Sequence, residues 1–326
     1  MMYQFIGGSY TRVNSKGIYG LKINLQEQTS QHTLLDEISR PTYVVVKDRQ
    51  LFSSAEIDHT AGVMIYQLDD QGQATRKQFL QMGEKSSPAH VTVSHNGQWI
   101  VSSNYHEGCF VIYQKEGEKY QPYRKVVESQ SGSHVHQAIF CDQDEWLYVV
   151  DLGIDRIKIY DVTKDFEFVY ELVLPPGFGP RHIVLIDEYL YCLGEYSHQV
   201  AVFKQHQDHG ELIQLVDTVD QTEANSTSAA IRLTRNQKYL YTSIRGQDQI
   251  TAFRVNDQHH LEKIEERAVR GKHPRDLIIT HDDQYVLVAN KDSDNITVFK
   301  IDLETGQLDF VMEAACEEGV SLAEII

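Results

Sequence analysis

Short runs of apolar, β-branched and aromatic residues alternate with polar turns along the whole chain, and no segment carries the 3.6-residue periodicity of an amphipathic helix of useful length. One apolar run recurs at residues 51–56, 99–104, 147–152, 190–195, 240–245 and 285–290 and usually closes on a charged or polar residue. A second run ends in an apolar–aromatic pair: Ile65-Tyr66, Ile112-Tyr113, Ile159-Tyr160, Val202-Phe203, Ala252-Phe253 and Val298-Phe299. The aromatic positions are 47, 47, 43, 50 and 46 residues apart. A repeat of this length is one supersecondary unit stacked against its neighbours, and 326 residues hold seven of them.

The grammar between these marks is constant. A strand starts at position 41, 88, 135, 180, 229 or 274; a turn such as Asn96-Gly97 or Asp282-Asp283 follows. The two marked strands come next, and then a fourth such as Leu212-Ile213-Gln214-Leu215 or Leu308-Asp309-Phe310-Val311. Four short strands per repeat predict an all-β, seven-bladed β-propeller of four-stranded antiparallel blades, in one domain over residues 1–326. A pair of β-sandwiches does not explain the period. The seventh blade is split: residues 3–10, 17–24 and 34–38 read as its second to fourth strands, and residues 320–326 supply the first. Pairing the C-terminal strand with the N-terminal strands closes the ring and removes exposed strand edges.

Composition narrows the partners. Thirty Lys and Arg against 47 Asp and Glu give a net charge of −17, which argues against nucleic acid and against anionic membrane surfaces. No run approaches the ~18 apolar residues of a membrane span, and residues 1–8 lack the basic start of a secretory signal. Cys109, Cys141, Cys192 and Cys316 form no CxxC pair and read as reduced thiols. The expectation is a cytoplasmic protein, monomeric or weakly homodimeric, with no nucleic-acid or membrane partner.

Antiparallel geometry places the start of strand 1 and the end of strand 2 at the same pole of the ring. The starts read Arg40-Pro41-Thr42, Pro88-Ala89-His90, His134-Val135-His136, Pro180-Arg181-His182, Ser228-Ala229-Ala230 and Pro274-Arg275-Asp276; the ends read Glu56, Asn104, Asp151, Glu195, Arg245 and Asn290. His136, Arg181 and Arg275 share one blade position, and Glu56, Glu195 and Arg245 share another. The position repeats while the chemistry varies, as at a site. Arg40, Arg181, Arg245 and Arg275 at one pole of an acidic protein point to a small anionic metabolite, because guanidinium forks suit carboxylate and phosphate. His90, His106, His134, His182 and Tyr105 fall near the same rim. Glu195 also reads as a structural partner of Arg181, and Asp155-Arg156 as an inter-blade salt bridge. HExxH, GxSxG, Walker A and GxGxxG motifs are absent, and Asp292-Ser293-Asp294-Asn295 fails as a calcium loop because its twelfth position is Leu303.

Five motifs carry a family resemblance: Phe178-Gly179-Pro180-Arg181-His182, His134-Val135-His136-Gln137-Ala138, Asp151-Leu152-Gly153-Ile154-Asp155-Arg156-Ile157, Ile231-Arg232-Leu233 with Ser243-Ile244-Arg245-Gly246, and Lys272-His273-Pro274-Arg275. Together they resemble the lactonase-type seven-bladed propellers, which include the propeller-type 6-phosphogluconolactonases and the carboxy-muconate lactonising enzymes. The chain departs from the family at Ile244, where Asn is common, and at Val320-Ser321-Leu322, where Pro-Val-Cys is common.

The resemblance implies a site without metal or cofactor, with His136, Glu195 and Arg181 as catalytic residues and Arg245 and Arg275 on the substrate. Arg40, Glu56, His182 and His134 join the substrate-binding set by their place at the pole. His136, with an ordinary imidazole pKa near 6.5, is the expected base, Glu195 its orienter or a base itself, and Arg181 the oxyanion partner. The expected function is hydrolysis of a sugar lactone, first of all 6-phosphogluconolactone. A carboxy-muconate lactonising activity and a non-catalytic binding scaffold are the alternatives.

Overall fold

Each repeat of the sequence forms one four-stranded antiparallel sheet in the computed structural model, which describes residues 2–326. Blade 2 is β4 (Val44–Lys47), β5 (Gln50–Ile57), β6 (Thr60–Leu68) and β7 (Ala74–Glu84). Blade 3 is β8 (His90–Val93), β9 (Trp99–Asn104), β10 (Cys109–Glu116) and β11 (Lys119–Val127). Blade 4 is β12 (Val135–Phe140), β13 (Trp146–Asp151), β14 (Arg156–Asp161) and β15 (Glu167–Val173). Blade 5 is β16 (Pro180–Ile186), β17 (Tyr189–Gly194), β18 (Gln199–Gln205) and β19 (Gly210–Asp217). Blade 6 is β20 (Thr227–Leu233), β21 (Tyr239–Arg245), β22 (Gln249–Val255) and β23 (Leu261–Ala268). Blade 7 is β24 (Pro274–Ile279), β25 (Tyr285–Asn290), β26 (Asn295–Ile301) and β27 (Leu308–Ala315). Blade 1 is the split one: β28 (Gly319–Glu324) pairs antiparallel with β1 (Met2–Ser9), followed by β2 (Gly17–Asn24) and β3 (Thr29–Glu37).

The aromatic mark that reveals the period has a structural cause. In every blade the register between the third and fourth strands shifts at this pair, as at Ile65/Tyr66, Ile112/Tyr113 and Val298/Phe299. A bulge bends the outer strand and leaves room for a ring beneath it. The first blade has the same bulge at Ile18/Tyr19, and Tyr19 lies 47 residues before Tyr66. Tyr66, Tyr113, Phe203, Phe253 and Phe299 are fully buried.

The core is divided into layers between blades rather than gathered in one centre. Tyr66 and Met64 of blade 2 pack on Ile6 and Ile18 of blade 1, and Tyr113 and Val111 of blade 3 pack on Phe52 and Val63 of blade 2. The closing layer sets Phe5, Leu21 and Leu322 of blade 1 against Leu287, Val298 and Met312 of blade 7. Each sheet thus buries both faces, and burying an aromatic or aliphatic side chain contributes about 1.5–3 kcal/mol. Two first strands begin later than the sequence pattern places them, at Val44 and His90: the Pro41 carbonyl accepts from the Ser9 N–H of blade 1 at 2.9 Å, and the Pro88 carbonyl from the Thr42 hydroxyl of blade 2 at 3.1 Å. Among the described residues no helix is long and apolar enough to cross a membrane. The four cysteines are free, and three of them are buried.

Candidate active site at the mouth of the channel

The first strands of blades 4, 5 and 7 carry a bulge near their starts. Ladder pairing skips His136, between Val135 and Gln137; Arg181, between Pro180 and His182; and Arg275, between Pro274 and Asp276. A bulged residue is freed from the pleat and re-aimed, and all three line one cavity. The loop before Arg181 is held from the neighbouring blade: the Asp155 carboxylate accepts the N–H groups of Gly177 and Gly179, each at 2.7 Å. Gly179 has φ +65°, and a Cβ there would meet the Tyr196 ring at 2.6 Å. Asp155-Arg156 is therefore no inter-blade salt bridge: Arg156 pairs with Glu171 of its own blade at 3.2 Å, and Asp155 caps this loop.

The cavity has a volume of about 260 Å³, and its wall carries five arginines, Arg12, Arg40, Arg181, Arg245 and Arg275, against one carboxylate, Glu195. Glu195 bridges two of them: Oε2 lies 2.7 Å from Arg181 Nε and Oε1 lies 3.0 Å from Arg245 Nη2. Arg181 also donates to the Ala229 carbonyl at 2.6 Å, and Arg245 to the Ser228 carbonyl at 2.9 Å. Burial pulls the Arg181 guanidinium down to about 9, with Glu195 opposing and Arg245 and Arg275 assisting. Burial works against ionisation of Glu195, but Arg181 and Arg245 outweigh it and hold the carboxyl below its usual range. Both oxygens are engaged by cations, so Glu195 fixes guanidinium geometry and is a poor proton acceptor.

His136 on the cavity wall is followed inward by His182 and then His90, with successive ring centroids 5.2 Å and 6.1 Å apart. All three are at least 95 % buried, and each Nδ1 lacks a hydrogen-bond partner. His182 Nε2 faces Arg181 Nη1 at 3.2 Å, so the ring accepts there and carries its proton on Nδ1. Burial first, and the arginines second, hold all three imidazoles well below the usual histidine range. The ordinary pKa expected for His136 is thus corrected: its ring is neutral throughout the physiological range.

The structure brings His136, Arg181, Glu195, Arg245, Arg275 and Arg40 to one cavity, together with Tyr105 and His106. It does not bring Glu56, His134 or His182 to that wall. Glu56 stands behind Arg40, at 3.4 Å from its Nε. His134 stacks on Tyr105 at 4.4 Å and donates through Nδ1 to the Tyr105 carbonyl, so it supports a wall residue. His182 lies one layer deeper, beside a cavity of about 10 Å³. Glu195 makes no hydrogen bond to His136; its partners are the two arginines.

Tyr10 and Arg12 line the cavity and were missed by the sequence reading. Tyr10 follows β1, the second strand of the split blade, so it occupies the strand-end position that Glu195 and Arg245 hold elsewhere. Applying the blade grammar to the split repeat finds it. Burial raises the Tyr10 hydroxyl, but Arg275, Arg181, Arg12 and Arg245 together outweigh it and bring its pKa below the ordinary value.

The model of the family described as "Lactonase, 7-bladed beta-propeller" matches residues 4–323. The chain belongs to the lactonase family. This lactonase is 31% identical over 332 residues to a 6-phosphogluconolactonase of Bacillus subtilis, with 94% of each chain covered. It superposes on a crystal structure of a Lactobacillus plantarum protein with a TM-score of 0.94 and 28% identity over the whole of both chains. It shares its fold with the periplasmic gluconolactonase of Pseudomonas aeruginosa, with a TM-score of 0.89, 23% identity, and coverage of 100% and 99%. Membership makes the protein a hydrolase of cyclic esters and disfavours the non-catalytic scaffold.

Proposed function

We propose that this lactonase hydrolyses 6-phosphogluconolactone to 6-phosphogluconate at the five-arginine cavity. The observation that carries the reading is the charge count of the wall: one carboxylate balances two arginines, and the surplus of cations suits a substrate with a phosphate dianion. The named activity of the Bacillus subtilis relative supports the same substrate.

In this reading the lactone carbonyl oxygen sits against Arg181, whose fork is fixed by Glu195 and the Ala229 carbonyl before substrate arrives. Preorganised donors stabilise the tetrahedral oxyanion at no reorganisation cost. His136, neutral and stripped of water, takes a proton from the attacking water as the C–O bond forms at C1. An anionic substrate raises the basicity of that ring by offsetting the arginines around it. Collapse of the intermediate breaks the bond between C1 and the ring oxygen, and the proton on His136 passes to the departing alkoxide. The product carboxylic acid then ionises and releases one proton. Sugar lactones are activated esters, so a weak base and one strong oxyanion site suffice.

The reading is tested by offering the purified protein freshly prepared 6-phosphogluconolactone and, separately, a carboxy-muconate, each followed by NMR. Ring opening of the first well above its spontaneous rate, with the second unchanged, is the expected result. Cyclisation of the muconate with no acceleration of lactone opening overturns it.

A further inference from the structure

The five arginines of the wall are not equivalent. Arg181 and Arg245 are paired with Glu195, and Arg40 with Glu56. Arg12 and Arg275 have no acidic partner among the described residues, and neither guanidinium forms a hydrogen bond within the protein there. Both instead lie over the ring of Tyr10, at 4.6 Å and 5.1 Å from its centroid. A third cation, Lys291, lies 5.8 Å from the same ring, but Asp292 neutralises it at 2.6 Å. An aromatic face steadies a guanidinium while leaving its N–H edge open. Two such guanidiniums thus share one ring, in the same cavity as the Arg181–Glu195–Arg245 cluster but outside its ion pairs.

The segment that presents Arg12 is itself fixed by a buried charge. The Glu318 carboxylate, from the turn before β28, accepts the backbone N–H groups of Arg12, Val13, Asn14 and Ser15, at 3.0, 2.8, 3.1 and 3.1 Å. Glu318 is 6 % exposed. Four successive N–H groups converging on one anion form a closed nest. Asp294 ties the same corner, accepting from Glu318 N at 2.8 Å and from Asn14 Nδ2 at 3.0 Å. An exposed arginine, expensive to order on its own, is thus carried on a backbone anchored through four N–H groups.

We propose that Arg12, Arg275 and Tyr10 form a clamp for the substrate's phosphomonoester, with Glu318 as the positioning residue that holds Arg12 in place. The clamp recognises the phosphate end, while Arg181, Glu195, Arg245 and His136 act on the lactone end. This proposal rests on the phosphorylated-lactone reading for its substrate, but its binding chemistry is tested without it.

Inorganic phosphate is titrated calorimetrically into the full-length protein and into its Arg12→Gln, Arg275→Gln and Glu318→Gln variants, with melting temperature measured in parallel. In the lactone assay, the ratio of kcat/KM for the 6-phosphorylated lactone to that for plain gluconolactone is compared across the same proteins. A charge-assisted contact to phosphate predicts roughly 10–100-fold weaker phosphate binding for each arginine variant. The same contact predicts a fall of similar size in the kcat/KM ratio. Glu318→Gln is expected to move both in the same direction, by roughly 3–10-fold, which a loss of fold stability alone does not do. Phosphate affinity and substrate ratio unchanged in both arginine variants overturn the clamp. Their loss in the arginine variants with no effect of Glu318→Gln overturns the positioning role. If phosphate binding depends on Arg12 and Arg275 but the wild-type protein opens neither lactone, the clamp stands and the reading of the substrate falls.

Discussion

Arg181 Nε and Glu195 Oε2 lie 2.7 Å apart on the cavity wall, and Arg245 takes the second carboxylate oxygen at 3.0 Å. This single half-buried carboxylate therefore neutralises and aims two guanidiniums. Glu195→Gln leaves both without a counter-charge. The expected outcome is a loss of activity of roughly 10²–10³-fold, the size of losing an oxyanion donor. A stability loss of about 3–5 kcal/mol is expected beside it. Steady-state kinetics and chemical denaturation measure the two effects separately.

With His136 as the proposed base, this ring sets the pH dependence of turnover. Its pKa is held well below 6.5 by burial and by Arg181 and Arg275, so the ring stays unprotonated as pH falls through 6.5. The enzyme-catalysed kcat/KM is expected to run level across pH 6–7.5 and to fall only in more acid solution. A profile with a half-maximum near 6.5 in the wild-type protein contradicts the assignment of this buried ring as the base.

The histidine column also links stability to pH. His90, His136 and His182 have native-state pKa values depressed below the ordinary 6.5. On acidification the unfolded chain binds these protons first. Stability is then fully present above about pH 6.5 and is lost as pH falls from there toward the native values, by up to about 1.4 kcal/mol per pH unit for each ring. Glu195 loses its contribution only below the carboxylate range, since its native pKa is also depressed. Urea midpoints are therefore expected to drop between pH 7 and 5.5, and less steeply in His90→Phe, which puts an aromatic ring without a titrating group in place of the imidazole that lies 4.1 Å from the Tyr43 ring. Parallel slopes in the two proteins contradict the account.

Closure of the ring depends on a second ion pair, built on a buried carboxylate. Asp276 is 2 % exposed; Oδ1 accepts from Arg232 at 2.7 Å and Oδ2 from the Leu322 N–H at 3.2 Å, joining blades 6, 7 and 1. Asp276→Ala is expected to cost about 3 kcal/mol, since it strands a half-buried guanidinium and a buried strand N–H. Asp70→Ala, which removes the exposed partner of Arg49, is expected to cost no more than about 1 kcal/mol. Equal effects in denaturation midpoints count against this view of closure.

The blades were legible in the sequence because each bulge between third and fourth strands needs a ring at one position, and Tyr66, Tyr113 and Phe299 advertise it. The pole was legible because His136, Arg181 and Arg275 follow strand starts at matching positions. Depth was not legible: His182 is adjacent to Arg181 in sequence, yet the bulge at Arg181 turns one side chain to the cavity wall and the other into the channel below. The partners of a carboxylate were only half legible, since Glu195 gains Arg245 from the next blade. Tyr10 and Arg12 escaped because their blade is assembled from both ends of the chain, and nothing local marks residues 12–15 as wrapped around Glu318.

The central claim is that the cavity opens a phosphorylated sugar lactone with Arg181 on the oxyanion and His136 as base. Its most direct measurement is pH-stat titration of proton release from freshly prepared 6-phosphogluconolactone. The account predicts release far above the spontaneous rate for the wild-type protein, and a fall of roughly 10²-fold or more in Arg181→Gln and in His136→Gln. Release by the folded wild-type protein at only the spontaneous rate, or full activity retained in both variants, would contradict it.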